Sequence, residues 1–200
     1  PAIPGVATQV TVVDLKGGTD TETDDELRAR ILLRIRNPPM GGDLADYTQW
    51  ALAVPGVTRA WAAVEQGIGT MTVRFMMDDL RADNDGFPEP QDIDAVAAYI
   101  DKMRPVTVKD CFTCAPIKQF IDVNIGNLVP DTDECKAEIE QQLRDMLFRV
   151  AKPGQTIFAA WINYAIMSAP SVISYQLQND EDQVMASLGN MAVLGTISYE

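Results

Sequence analysis

The side chains best placed to do chemistry lie in one acidic loop, Asp78-Asp79 followed by Asp83-Asn84-Asp85-Gly86. Clustered oxygen donors on a glycine-containing loop are what Ca²⁺ or Mg²⁺ takes. A metal-assisted hydrolase would draw on the same carboxylates. The spacing departs from an EF-hand loop: counting back from Gly86, the first ligand position falls on Arg81, and no Glu stands at the last one. The segment therefore reads as a solvated acidic loop. No catalytic, metal-binding or cofactor-binding residue is assigned, and a hydrolase built on Asp78 to Asp85 stands as the alternative.

The chain has no histidine, which removes Ser-His-Asp and Cys-His catalysis and the commonest general base near neutral pH. Gly17-Gly18 and Gly41-Gly42 are each followed within two residues by an Asp, which opposes a bound phosphate; they read as turn glycines. Gly67-Ile68-Gly69 lacks the third glycine of a dinucleotide fingerprint. Cys111 and Cys114 form a C-x-x-C inside a strand-like stretch, where positions three apart face opposite ways. With Cys135 they make three cysteines, neither an even disulfide framework nor a four-ligand zinc set, and are expected to be reduced and buried, as in a cytosol.

Composition bounds the remaining classes. Apolar residues make up 46% of the 200 and charged residues 22%, the balance of an ordinary folded protein. The formal charge of −13 repels phosphate backbones, so nucleic acid is not an expected partner. No apolar run reaches the roughly 18 to 20 residues of a membrane helix, so no membrane is expected either. Opening at Pro1 without a leader suggests a piece of something longer.

Residues 1–20 read as the tail of an upstream domain, with Val10, Val12 and Val13 ahead of Gly17-Gly18. Residues 21–115 read as a first unit, α-α-β-β-α-β. Thr23-Asp24-Asp25-Glu26 has capping-box spacing, and Leu27, Ile31, Leu32 and Ile35 follow at helical intervals until Asn37-Pro38-Pro39, a short rigid elbow. Asp43 caps a second helix with Leu44, Tyr47, Ala51 and Val54 on one face. Strands are expected over Val57–Val64 and Thr70–Met77, a helix through Ile93, Val96, Ile100 and Met103, and a strand over Val106–Cys114. Residues 116–200 read as a second unit, β-α-α-β-β: a strand alternating from Ile117 to Ile125, a helix opened by Asp131 and Glu134, a helix over Thr156–Met167, and strands near Val172–Leu177 and Val193–Tyr199. The fold class is α+β, two small layered units with mixed or antiparallel sheets.

Candidate interaction residues are Arg28, Arg30, Arg34 and Arg36 along the first helix, a basic strip on an acidic chain where an acidic neighbour could dock. Trp50 joins them because it lies slightly off the apolar face of the second helix. Read as a solvated helix face and a core ring, the same residues need no partner. A further alternative, carried by the charge of −13, is a small intracellular binding module for a basic partner.

Several motifs, taken in order, resemble the baseplate J-like family of Mu-like and P2-like contractile phages. They are Gly17-Gly18-Thr19-Asp20, Asp24-Asp25-Glu26-Leu27-Arg28-Ala29-Arg30, Asn37-Pro38-Pro39 with Gly41-Gly42, Asp46-Tyr47, and Val54-Pro55-Gly56-Val57-Thr58-Arg59-Ala60-Trp61. The likeness continues through Arg104-Pro105-Val106, Pro153-Gly154 and Val193-Leu194-Gly195-Thr196-Ile197. It implies the C-terminal portion of a wedge subunit in a phage or prophage tail baseplate, assembled in the bacterial cytoplasm. Its expected partners are other wedge and hub proteins and further copies of itself, with no cofactor and no enzymatic activity.

Overall fold

A computed structural model of the chain describes residues 23–36 and 40–200. The expected elbow at Asn37-Pro38-Pro39 and the motifs of residues 1–20 lie outside them. The described residues fall into two compact units, one holding α1 (Asp24–Arg36) and the other holding residues 40–200. On α1 the stripe of Leu27, Ile31, Leu32 and Ile35 is exposed.

In the larger unit α2 (Leu44–Leu52) begins where Asp43 accepts the Asp46 N–H. The buried Asp46 carboxylate accepts the N–H groups of Met40 and Gly42, so the Gly41-Gly42 pair is a turn, as its spacing suggested. Next come β1 (Arg59–Ala63), β2 (Thr70–Met76), α3 (Pro90–Met103) and β3 (Asp110–Cys114). The sheet order is β1-β2-β3, antiparallel then parallel. Met71, Val73, Phe75 and Met77 pack with Tyr47, Ala51, Val96 and Ile100 in one core. β3 is shorter than the expected Val106–Cys114 strand, because Val106 sits fully exposed in the turn after Pro105 and only Asp110 onward pairs with β2. Leu44 is also a correction, being exposed rather than facing the core.

The second half comprises β4 (Ile117–Val129), α4 (Asp133–Val150), α5 (Ala159–Met167), β5 (Ser174–Leu177) and β6 (Asn190–Tyr199). Its sheet is mixed too, in the order β5-β4-β6, with β4 antiparallel to β5 and parallel to β6. Cys135, Ile139, Leu143, Met146 and Leu147 form the buried stripe of α4 against Ile121, Val123 and Ile125 of β4. Thr132, not Asp131, caps α4, accepting the Cys135 N–H. α5 starts three residues later than expected, since Ile157 is held in an isolated bridge to Gln183; its buried face is Ile162, Ala165 and Ile166. Ile117 breaks the expected alternation by being exposed at the start of β4. The element order matches both expected patterns, and the chain is α+β.

Candidate functional site

Every residue of β2 from Met71 onward is buried, although its sequence alternates. One face meets α2 and α3. The register places Arg59, Trp61, Thr72, Arg74, Met76 and Cys114 on the other face, and the second half of the chain covers it. Met76 and Phe87 belong to the same core as β4 and α4, with Trp61 packed against it.

Two cations secure this seam. Arg59 donates from Nε to Asp78 Oδ2 at 2.9 Å and from Nη2 to Asp78 Oδ1 at 2.6 Å, a two-point pairing that Lys could not reproduce. Its Nη1 also donates to the Phe148 carbonyl on α4 at 3.3 Å, and the guanidinium lies 4.7 Å from the Phe148 ring centre and 5.6 Å from that of Trp61. Lys118 on β4 reaches back the other way, 2.7 Å from Asp85 and 3.0 Å from the Asn84 amide oxygen, with its ammonium 4.9 Å from the Phe87 ring centre. Beneath them Arg74 pairs with Glu65 at 2.8 Å, both largely buried, and donates to the Ala115 carbonyl at 3.0 Å.

This geometry decides what the acidic loop does. Asp78 is occupied by Arg59 and by the Thr58 hydroxyl and Asp85 by Lys118, so these carboxylates serve the seam. Gly86 lies under Asp78 with φ of +79°, and a Cβ there would stand 2.6 Å from Asp78 Oδ1. Among the described residues no three His, Cys, Asp or Glu side chains converge to hold a metal. Cys111 and Cys114 do face opposite ways: the first packs with α3, and the second lies near Arg74. Burial pushes both thiols up from their ordinary pKa.

The sequence-derived interaction residues are not gathered into one site. Arg28 is exposed on α1 and paired with Asp25, and Arg30 is exposed on the same helix. Arg34 and Arg36 also belong to α1. Trp50 is half-buried on α2, its ring edge-on to Tyr47 with centres 4.8 Å apart, and packs against the first core. Sequence reasoning missed Arg59, Arg74 and Lys118. Only Arg74 left a trace, as a lone charge in the middle of an apolar strand.

Two family descriptions match this architecture half by half: the baseplate J-like central domain over residues 39–115, and the baseplate J-like protein C-terminal domain over residues 121–200. JayE of Escherichia coli K12 is 36% identical over 92% of this chain and 69% of its own length. The chain belongs to the baseplate J-like family. This baseplate J-like chain is a structural protein of a phage or prophage tail baseplate. It is also 31% identical to the Mu-like prophage FluMu protein gp47 of Haemophilus influenzae and 29% identical to baseplate protein gp47 of Escherichia phage Mu, spanning 57% and 56% of their lengths. A chain of the cryo-EM baseplate of the anti-feeding prophage is similar in fold to this one, with a TM-score of 0.53 at 13% identity, over 86% of this chain and 42% of that one.

Proposed function

We propose that this chain is the C-terminal portion of a baseplate wedge subunit and acts through protein surfaces, without catalysis. The observation that carries the reading is the seam. The polar groups with the most suggestive chemistry are already spent: Asp78 on Arg59, whose guanidinium also reaches the Phe148 carbonyl of the C-terminal domain, and Asp85 on Lys118 at the start of β4. Its partners are other wedge and hub proteins and further copies of itself, met during assembly in the bacterial cytoplasm at the tail baseplate. The basic strip of α1, Arg28, Arg30, Arg34 and Arg36, and the half-buried Trp50 are its proposed contact residues. By the same proposal residues 21–115 and 116–200 are its two building units, and neither nucleic acid nor a membrane takes part. Among the described residues no helix is long and apolar enough to cross a membrane.

The test is co-expression of the full-length protein with its neighbouring tail genes. Co-purification with a wedge or hub protein is expected. Failure to co-purify with any of them, together with absence from purified tails, would overturn the proposal. The hydrolase alternative predicts instead a metal-dependent activity lost in Asp79→Asn.

A further inference from the structure

Of the edge strands in the two sheets, three carry a feature that blunts them. β1 begins with Arg59, β3 begins with Asp110, and β5 is only four residues long. β6 is longer: it runs ten residues, Asn190 to Tyr199, at the edge of its sheet with neither a charged residue nor a proline, interrupted by one bulge at Gly195-Thr196. Long uncharged edges present unpaired backbone groups, and folded proteins normally suppress them. The Ile117 N–H donates to the Gly189 carbonyl and the Glu200 N–H to the Ile125 carbonyl. Alternation along the parallel ladder, shifted by one residue at the Gly195-Thr196 bulge, turns Met191 and Val193 toward β4 and the backbone N–H and C=O of Leu194, Ile197 and Tyr199 outward; at the start of the strand Ala192 is buried and the Asn190 carbonyl accepts the Gly154 N–H. Among the described residues no strand lies beyond them.

The space beside this edge is already shaped. Two clefts of about 410 and 340 Å³ adjoin at Leu194, one against Met191–Leu194 and the other against Leu194–Tyr199. Their shared wall is one face of α4, carrying Lys136, Ala137, Glu140, Arg144 and the exposed Phe148. The cations of the walls are answered within the chain: Arg59 by Asp78, Lys136 by Asp131, Arg144 by Glu140. Asp79 and Asp133, one in each cleft, form no salt bridge within 4.0 Å among the described residues, although Asp133 joins Asp131 in favouring the charged form of Lys136.

We propose that the outer edge of β6 is a strand-addition site that takes an extended, basic segment of a partner protein. Its backbone pairs with Leu194 and Ile197, its apolar side chains lie beneath α4, and its cations meet Asp79 and Asp133. A partner at this edge presupposes the assembly role proposed above.

The test is amide hydrogen exchange on the full-length protein, with and without a synthetic nine-residue peptide alternating valine and lysine. The expected result is at least tenfold slower exchange at Leu194 and Ile197 with peptide, weakening as salt rises. Leu194→Pro removes an outward N–H without touching the ladder to β4 and should abolish the protection, whereas Leu194→Ala should retain it. No protection at millimolar peptide overturns the proposal. So does protection already present without peptide, which would mean that the chain covers its own edge, or protection that grows with protein concentration alone, which would mean that a second copy does. No tail is present in this measurement, so it can fail while the protein is still found in tails, and the reverse.

Discussion

Arg59 on β1 and Asp78 just after β2 form a two-point ion pair, and the same guanidinium reaches the Phe148 carbonyl on α4. One side chain thus closes the central sheet and ties it to the C-terminal half. Arg59→Ala leaves Asp78 partly buried with only the Thr58 hydroxyl and backbone for company, at a cost of about 2 kcal/mol, less than a fully buried pair would lose. Urea unfolding checks this, and Arg59→Lys should recover only part of the loss because the fork geometry is gone.

Phe87 belongs to the central half by sequence but to the C-terminal core by packing, beside Met76. Phe87→Ala should cost about 3 kcal/mol. The two halves should also unfold together. Trp50 reports on the first core and Trp161 on the second, so single-tryptophan variants should give coincident urea transitions. Two separate midpoints would show that the seam does not couple them.

Asp92 caps the start of α3, accepting the Glu89 N–H, and takes two hydrogen bonds from Arg81 at 2.8 and 2.9 Å. Chiefly through the Arg81 hydrogen bonds, its carboxyl is held below the ordinary carboxylate range. A depressed folded pKa contributes stability that is present above the unfolded value of about 3.9 and is lost as pH falls through the folded value. The melting temperature of Asp92→Asn should therefore lie below that of the parent at pH 7 and converge toward it below pH 4. Parallel curves would contradict the assignment.

Burial raises all three thiols, and Cys111 and Cys114 sit on opposite faces of one strand. Mild oxidation should leave three free thiols by mass, and alkylation of the folded protein at pH 7 should be slow compared with the urea-unfolded chain. Loss of two hydrogen atoms from the intact mass after oxidation, mapped to a bond between Cys111 and Cys114, would refute the opposed arrangement.

The alternation of Met71, Val73, Phe75 and Met77 and the helical stripe of Cys135, Ile139 and Leu143 were legible because each needs only its own segment and one neighbouring layer. The second face of β2 was not legible. What buries Arg74 and Met76 arrives more than seventy residues later, in the segment around Phe148 and Gly189. For the same reason the acidic loop read as solvated, although Asp78 and Asp85 meet cations from β1 and β4. Val106 misled in the opposite direction: its β-branched side chain suits a strand, but the turn after Pro105 keeps it off the sheet.

The account turns on whether this protein is a physical part of a tail. Quantitative mass spectrometry of purified, intact tails tests that most directly, comparing its copy number with that of the sheath and tube subunits. A fixed, low stoichiometry that persists through high-salt washing is the expected result. Absence from tails that still carry their other baseplate proteins would contradict it.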